Sequence, residues 1–215
     1  MAEYHWHTIT PAMRSILMGF AKSDLSREFY LGGGTALALH LGHRLSVDLD
    51  FFSGTQQDIP ALKEALRRAL KEFSPILSDS SWGNLVYLVE DVRVGFYGYG
   101  YEMVNPLLQA EGMALASLED IGLMKLDALL SRASRKDFHD LYAICQRISL
   151  RKLLDLAPRK YSSVRDFEAQ VARHMVLFER AEAESPLPLI EQVEWDVVKA
   201  WFRKQAKEIG RSWLE

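Results

Sequence analysis

The stretch LGGGTALALHLGHRLSVDLDFF, residues 31–52, decides how the N-terminal half of the chain is predicted to fold. A short apolar strand runs into three glycines, and residues 35–41 are predicted to form the helix that follows. Residues 47–52 then alternate between apolar and acidic side chains, which is typical of a strand. Because successive side chains of a strand point to opposite faces, Asp48 and Asp50 are expected on one side.

The glycines and the two acids together indicate a phosphate site. Gly33 and Gly34 stand between a strand and a helix, where backbone amides and the positive helix end can approach an anion closely. The Thr35 hydroxyl adds a donor or a helix cap. Two carboxylates beside such a turn suit Mg²⁺, which prefers oxygen ligands and bridges to phosphates. The combination is more specific than either part, since a strand should not bury two unpaired acids.

Two other chemistries also use an Asp-x-Asp pair. Phosphatase-like sites usually carry Thr or Val two residues beyond the second acid, where this chain has Phe52. Glycosyltransferases use the pair to hold a metal and a nucleotide-sugar, but they do not need a glycine turn and a helix just before it. Both alternatives are therefore disfavoured.

The composition limits the classes of protein that the chain can belong to. A length of 215 residues favours one domain or two small ones, and 48% hydrophobic with 26% charged residues excludes a disordered or fibrous chain. The single Cys145 excludes an intramolecular disulfide and a cysteine-based zinc site. No apolar run reaches the ~18 residues of a membrane span, and no signal peptide is apparent. A cytoplasmic protein with no membrane partner is expected.

The rest of the chain divides near residue 117, after which almost every segment has a helical pattern. Further helices are predicted at about 10–22, 59–73, 118–131, 149–157, 163–183 and 194–210, and another is predicted to begin near residue 134. Further strands are predicted at 75–78, 85–89 and 92–97. The last two strands are separated by the hairpin signal Glu90-Asp91, and the N-terminal run His5-Trp6-His7 is expected to be frayed. The fold class is α+β followed by a helical bundle.

A second motif, SLEDIGLMKLDALLSRASRKDFHDLYAI at residues 117–144, supports a family resemblance. The glycine pair followed by Asp-x-Asp resembles the signature of the nucleotidyltransferase superfamily. The later lysine-bearing helix and basic Asp-containing motif resemble the AbiEii/AbiGii toxin family. The similarity covers roughly residues 28–145. It implies a nucleotidyltransferase-like mixed sheet with flanking helices in residues 1–116, and a helical region in residues 117–215 that completes the active site and carries the acceptor surface.

The resemblance also implies two sets of site residues, a substrate and partners. The residues implied in catalysis are Asp48, Asp50, Lys125 and Asp137, of which Asp48 and Asp50 would hold Mg²⁺ or Mn²⁺. The residues implied in binding the nucleotide are Gly33, Gly34, Thr35, Arg44, Ser46, Lys125, Arg132 and Lys136. An NTP would donate its nucleoside monophosphate to RNA, for example a tRNA 3′ end, or to a protein hydroxyl. A toxin-like role and a cognate antitoxin are implied as well.

The chain departs from the superfamily pattern at the third carboxylate. That acid is expected on the strand at 92–97, where the chain has Gly95 instead. Asp91 lies about 13 Å away along an extended strand, which is too far to replace it. Two hypotheses follow. Either Asp137 supplies the missing acid function and the enzyme is active, or the protein is a degenerate nucleotidyltransferase that binds a nucleotide or a partner.

The charge pattern leaves two further alternatives open. Residues 125–160 contain nine Lys or Arg against four Asp, a net charge of +5 in a chain whose net charge is −3. Such a segment is expected to be a solvated helical face, and the functional alternative is a landing surface for phosphates. Similarly, Lys125 and Asp137 could form a surface ion pair between adjacent helices rather than act in catalysis.

Overall fold

The structure, a computed structural model, describes residues 3–55, 58–81 and 83–213. The chain forms two compact units, Met1–Ser117 and Leu118–Glu215. In the described residues the first unit contains a seven-stranded sheet with helices, and the second contains helices only. The predicted α+β class, a mixed sheet followed by a helical region, is confirmed. No helix of the described ranges is long and apolar enough to cross a lipid bilayer.

Two helices of the first unit begin at a side-chain cap. Helix α1 (Pro11–Ala21) follows Thr10, whose hydroxyl accepts a hydrogen bond from an amide of the first turn, and a proline occupies its first position. Asp58 caps helix α3 (Ile59–Ala69) in the same way. Helix α2 (Gly33–Leu41) begins without a side-chain cap hydrogen bond. Short 3-10 helices lie at Trp6–Thr8, Asp24–Glu28 and Lys71–Phe73.

The sheet combines parallel and antiparallel pairs. Its strands are β1 (Tyr30–Leu31), β2 (Asp48–Ser53), β3 (Ile76–Ser81), β4 (Asn84–Val89), β5 (Val92–Gly98), β6 (Leu108–Ala110) and β7 (Met113–Leu115). Their order across the sheet is β3-β4-β5-β2-β1-β7-β6. Strand β2 runs parallel to β5 and antiparallel to β1, whereas β1 runs parallel to β7. Strands β6 and β7 were not predicted, because three residues are too few to show an alternating pattern.

The predicted hairpin between β4 and β5 is confirmed. Its two turn residues, Glu90 and Asp91, both adopt left-handed backbone conformations, with φ of 48° and 62°. Two such residues in succession give a turn whose twist matches that of the flanking strands. Asp91 is therefore exposed at the tip of a turn rather than near the middle of β5.

The apolar core of the first unit lies on the face of β2 opposite to its acids. Phe51 stacks on Phe96 of β5 with ring centroids 5.1 Å apart, and Phe20 of α1 lies 4.7 Å from Phe51. All three side chains are fully buried. Because strand side chains alternate, burying Phe51 on this face places Asp48 and Asp50 on the other.

The expectation of a frayed N-terminus is wrong for the run from His5 to His7. The His5 amide donates a hydrogen bond to the Leu39 carbonyl of α2 at 2.9 Å. The Arg14 guanidinium lies 4.6 Å from the centre of the Trp6 ring. The segment is thus ordered by its contacts with α1 and α2, which the local sequence could not indicate.

The second unit consists, in the described residues, of six helices. They are α4 (Leu118–Ser131), α5 (Arg135–Cys145), α6 (Leu150–Lys160), α7 (Phe167–His174), α8 (Glu179–Glu182) and α9 (Trp195–Ser212). The single helix predicted at 163–183 is wrong. The chain enters α7 through Asp166, which has a left-handed φ of 52°, and leaves it after His174. Between α7 and α8 it buries Met175 and Phe178 in the core.

Aromatic packing holds α5 against the C-terminal helix. Phe138 of α5 is fully buried, and its ring centroid lies 5.0 Å from that of Phe202 and 5.7 Å from that of Trp195, both in α9. Phe178 contacts the same ring at 5.1 Å. Aromatic pairs at these distances add to the stabilisation from burial. This core fixes the start of α5, where the predicted site residues Lys136 and Asp137 lie.

Candidate active site

The face of β2 and β5 opposite the aromatic core carries the predicted acids. In the parallel register Asp48 lies beside Arg93 and Asp50 lies beside Gly95. Tyr97, two residues beyond Gly95, projects from the same face. The Asp50 side chain is 26% exposed, and Asp48 is half-buried. The predicted pair of acids on one side of a strand is thus present and accessible.

The glycine pair brings the beginning of α2 against this face. Gly33 and Gly34 are the first two residues of the helix, and Gly33 has a left-handed φ of 60°. A Cβ atom at Gly33 would lie 3.2 Å from Oδ2 of Asp50. The position therefore favours glycine for its backbone conformation and for its close approach to Asp50. Amides of a first helical turn have no partner within the helix, which makes such a terminus suitable for binding an anion.

Arg44 adds positive charge at the same helix terminus. Its guanidinium lies so close to Gly34 that a Cβ atom there would overlap Nη2. The Arg44 side chain is buried, and Nη1 donates a hydrogen bond to the Leu45 carbonyl at 3.0 Å. A guanidinium beside a helix N-terminus reinforces the attraction of both groups for a phosphate.

Thr35 and Ser46 lie beneath this terminus and connect α2 to β2. Their hydroxyl groups are hydrogen-bonded to each other at 2.8 Å, and the Thr35 hydroxyl also donates to the Asp48 carbonyl. Both side chains are buried. Their hydroxyl groups thus hold the helix on the strand, while the Thr35 amide belongs to the first turn that faces an incoming anion.

Two residues that sequence reasoning missed, Arg93 and Tyr97, occupy the place of the third carboxylate. Arg93 Nη1 lies 3.4 Å from Oδ1 of Asp50, and Arg93 Nη2 donates to the Tyr97 hydroxyl at 2.8 Å. The Tyr97 hydroxyl is also hydrogen-bonded to Asp50, and burial together with the Asp50 charge raises the pKa of Tyr97. The signal in the sequence was their position two residues before and after Gly95, on the same face of β5.

Three predicted residues of the second unit, Lys125, Arg132 and Asp137, belong to a buried ion network. Lys125 Nζ of α4 lies 3.0 Å from Oδ1 of Asp137 and 2.6 Å from Oδ2 of Asp140, both in α5. The lysine side chain is 4% exposed and neither carboxylate is exposed. The alternative of an ion pair between adjacent helices is confirmed, but its expected surface location is wrong, because the pair is buried and is joined by a second acid.

Sequence comparison places the glycine pair and the acids of β2 in a known family. Residues 15–79, which include the glycine pair and both acids of β2, match the family described as nucleotidyl transferase AbiEii toxin, type IV TA system. An uncharacterized protein of Aquifex aeolicus is 31% identical over 202 residues, covering 91% of this chain and 94% of that protein. The chain belongs to the AbiEii nucleotidyl transferase toxin family.

Solved structures share the fold of this AbiEii-family protein. JHP933 from Helicobacter pylori matches with a TM-score of 0.55 at 21% identity, over 94% of this chain and 90% of that chain. MenT4, a nucleotidyltransferase toxin of Mycobacterium tuberculosis, matches with a TM-score of 0.50 at 13% identity, over 92% of this chain and 83% of that chain. At these identities the likeness shows a nucleotidyltransferase fold.

The acids of the AbiEii-family protein suit a metal that arrives with its substrate. Residues 3–55, 58–81 and 83–213 contain no group of three or more His, Cys, Asp or Glu side chains arranged to hold a metal ion. Mg²⁺ commonly binds through one or two carboxylates, with substrate phosphates and water completing its ligands. Asp48 and Asp50, on one accessible face beside an anion-binding helix terminus, fit that mode of binding.

The environment of Asp137 favours a site-organising role over proton transfer. Arg132 donates to both carboxylate oxygens at 2.8 Å, and the Ser134 hydroxyl donates at 2.5 Å in a capping box at the start of α5. Burial alone would raise the pKa of Asp137, but Lys125, Arg132 and Ser134 outweigh it and hold the pKa well below its usual range. A carboxylate of such low basicity is a poor proton acceptor. The hypothesis that Asp137 replaces the third acid stays a prediction.

The basic segment of the AbiEii-family protein is partly neutralised by acids outside it. Three of its basic residues form ion pairs with such acids: Arg151 with Glu168, Lys152 with Glu119 and Lys160 with Asp120. Lys160 pairs with Asp120 at 2.8 Å, and both side chains are fully buried. Sequence reasoning missed this pair because its members are 40 residues apart. The net charge of +5 therefore overstates the positive charge that the segment presents to solvent.

Proposed function

We propose that this protein transfers a nucleoside monophosphate from an NTP to a hydroxyl group of a macromolecule. The observation that carries the proposal is the arrangement of Asp48 and Asp50 beside the glycine-initiated N-terminus of α2. In the reaction, the acceptor oxygen forms a bond to the α-phosphorus and the bond to the departing pyrophosphate breaks. The hydroxyl proton leaves to water.

Each group of the first unit has a defined part in this proposal. The free amides of α2 and the Arg44 guanidinium bind the triphosphate. Asp48 and Asp50 hold Mg²⁺ or Mn²⁺, which supplies positive charge where the phosphates develop negative charge. Thr35 and Ser46 keep the helix terminus in place through their buried hydrogen bond. These roles need no side chain at Gly33, where a larger residue would crowd Asp50.

The second unit contributes basic side chains to the proposal. Arg132 lies between α4 and α5 and Lys136 in the first turn of α5; the Arg132 side chain is 45% exposed and Lys136 is half-buried. Both remain candidate contacts for nucleotide phosphates. Lys125 is also assigned to the site by the family resemblance, and its two carboxylate partners suggest that it acts by fixing α4 and α5. Asp137 acts with it as the acid that organises this segment.

The acceptor and the biological role follow from the family in this proposal. An AbiEii toxin of a type IV toxin–antitoxin system implies a cognate antitoxin as a partner. We propose RNA, such as a tRNA 3′ end, as the acceptor, with a protein hydroxyl as the other macromolecular class. NTPs and both acceptors are cytoplasmic, and the reaction is assigned to that compartment.

The experiment is a labelling reaction with each α-labelled NTP in turn. Purified protein is incubated with Mg²⁺ or Mn²⁺ and a lysate that contains RNA and protein, and the products are separated by size and by nuclease sensitivity. The Asp48→Asn/Asp50→Asn variant tests the site, and Asp91→Asn, at the exposed hairpin turn, is the matched control. Label that requires Asp48 and Asp50, but not Asp91, supports the proposal and names the nucleotide and acceptor. No label with any NTP contradicts it.

A second candidate function is a nucleotide-binding protein that does not transfer. The specific observation in its favour is that Gly95 stands where a third acid is expected, with Arg93 paired to Asp50. This candidate predicts that the protein binds a metal–NTP complex at the site but transfers no label. Equilibrium binding of each NTP, measured beside the labelling reaction, separates the two functions.

A further inference from the structure

The contacts around Asp50 suggest a role for the two residues that flank Gly95 on its face of β5. Arg93 and Tyr97 are each two residues from Gly95, so all three residues lie on the face of the sheet that carries the acids of β2. Arg93 donates to the Tyr97 hydroxyl at 2.8 Å, and both side chains contact the Asp50 carboxylate. The pair therefore links one acid of the site to a cation and to a neutral hydroxyl group.

The absence of a side chain at Gly95 makes this contact possible. Tyr97 leans back along its own strand, and its hydroxyl and the adjacent ring carbons occupy the space above Gly95. A Cβ atom at residue 95 would overlap them. Gly98, on the same strand, has no such neighbour, since the nearest atom to its Cβ position is 4.0 Å away. Tyr97 can occupy this position only because residue 95 has no side chain, so Gly95 has a structural role besides lacking the third carboxylate.

The charge balance at Asp50 differs accordingly from that of a site with three carboxylates. In place of a further negative charge, Asp50 has a guanidinium 3.4 Å from Oδ1. Arg93 is 47% exposed, so this cation is able to leave without breaking the core. The Tyr97 hydroxyl is a hydrogen-bond donor to Asp50 and adds no charge. A donor that orients a metal-binding carboxylate typically strengthens metal binding, whereas a neighbouring cation opposes it.

We infer that Tyr97 is a positioning residue for Asp50, and that Arg93 is a built-in counter-cation that competes with divalent metal for the same carboxylate. The inference rests on the proposed function in taking Asp48 and Asp50 as the metal-binding acids. It adds that the site binds metal weakly until a nucleotide brings further ligands. Gly95 serves this arrangement by leaving room for the Tyr97 hydroxyl.

The test measures Mn²⁺ binding by the protein without nucleotide, using the electron paramagnetic resonance signal of free Mn²⁺. Tyr97→Phe removes only the hydroxyl, and we expect about 10- to 100-fold weaker binding. Gly95→Ala should weaken binding similarly, because its methyl group displaces Tyr97. Arg93→Met should tighten binding about tenfold, because the competing charge is gone. Asp50→Asn should abolish Mn²⁺ binding at this site, which shows that the signal reports it.

Two matched controls separate positioning from a general loss of structure. Tyr87→Phe removes a buried phenol hydroxyl from β4, where Tyr87 pairs with Val94 and so lies on the opposite face of the sheet. Gly98→Ala adds a methyl group to the same strand as Gly95→Ala, but in open space. Both controls should bind Mn²⁺ like the wild type, and the thermal midpoints of all variants are measured alongside.

The outcomes distinguish this inference from the proposed function. Wild-type Mn²⁺ affinity in both Tyr97→Phe and Gly95→Ala, or weaker binding in Arg93→Met, overturns the inference even if label is transferred to an acceptor. The expected affinities without any label transfer leave the inference standing and contradict the proposed function. If wild-type protein binds no Mn²⁺ at millimolar concentration, binding by Arg93→Met supports the inference, and its absence there overturns it.

Discussion

The two pairs of acids in this protein lie in opposite environments. Asp48 and Asp50 lie on a strand face, partly exposed, and the Asp50 side chain keeps 26% of its surface accessible. Asp137 and Asp140 lie on a helix, are fully buried, and share the ammonium group of Lys125. The first pair is placed to accept a cation from solution, whereas the second already contains its cation.

The comparison shows that the protein meets the cost of burying charge in two ways. In the second unit, Lys125 and Arg132 neutralise the buried acids within the fold. Removing one of these partners therefore leaves an unpaired charge in a low-dielectric interior. In the first unit, the acids stay accessible, and their compensation comes from Arg93 and from ligands that bind. Substitutions should therefore affect function in the first unit and stability in the second.

The largest expected effect is on catalysis, at the strand acids. Asp48→Asn/Asp50→Asn should lower the rate of label transfer by about 10³-fold or more, since metal charge is worth several kcal/mol to such a transition state. Its free energy of unfolding should stay within about 0.5 kcal/mol of the wild type, because both side chains are partly exposed. Initial rates of label transfer check the catalytic effect, and urea unfolding checks the free energy of unfolding. A variant that unfolds easily would remove the contrast between the two pairs.

The next largest effect is on stability, at the buried network. Lys125→Met should lower the free energy of unfolding by about 3–5 kcal/mol, because two buried acids lose a shared partner. Urea unfolding measures the change. The matched control is Lys152→Met; the Lys152 ammonium group pairs with Glu119 at 2.9 Å, and the lysine side chain is 56% exposed. This control substitution should lower the free energy of unfolding by only about 0–1 kcal/mol. Equal stabilities for the two variants would contradict a structural role for Lys125.

A third prediction concerns acid sensitivity, through Asp137. Lys125 and Arg132 outweigh the effect of burial and hold its pKa in the folded protein well below the usual range. In the unfolded chain its pKa returns to about 3.9. Between the two values the unfolded chain binds more protons, so stability falls as the pH falls. The contribution of Asp137 to the free energy of unfolding should be fully present above about pH 5. It should decline below about pH 4, by up to about 1.4 kcal/mol per pH unit.

Unfolding curves at several acidic pH values test this prediction. Asp137→Asn removes the titrating carboxylate, and its stability should depend less steeply on pH below about 4 than that of the wild type. Should this variant keep the wild-type slope, acid unfolding must depend on other groups.

The smallest effect is expected at the exposed edge of the buried network. Arg132→Gln removes two charge-assisted hydrogen bonds to Asp137, but Lys125 and Ser134 still contact that carboxylate. Because the Arg132 side chain is 45% exposed, solvent screening reduces the loss to about 1 kcal/mol. If nucleotide affinity falls much more than stability in this variant, Arg132 contacts phosphate directly.

Much of the first unit could be predicted, because its signals are local. Alternation in VDLDFF placed Asp48 and Asp50 on one face, and the glycine pair marked the start of α2. The partners of these residues could not be predicted. The β2–β5 register joins residues more than 40 positions apart, and only that register places Arg93 beside Asp48 and Gly95 beside Asp50.

The second unit was predictable as helices but not as a network. The motif around Ser134 and Asp137 correctly indicated a helix start, and the structure adds that the capping acid is also the acid of a buried ion cluster. The charge count over residues 125–160 gave no sign of the partners outside it, Glu119, Asp120 and Glu168. A net charge records composition, whereas the surface potential depends on which charges the fold brings together.

The crowding above Gly95 also constrains how this site can evolve. An acid at residue 95 would give β5 the third carboxylate, but its Cβ would overlap the Tyr97 hydroxyl and so break the contact between Tyr97 and Arg93. A change at Tyr97 to a smaller residue would open the space first. The two substitutions are therefore not independent, and an acid at residue 95 is accommodated more readily once Tyr97 has been replaced. In a lineage that carries Gly95 and Tyr97 together, replacement of Tyr97 is therefore expected to precede the gain of an acid at residue 95.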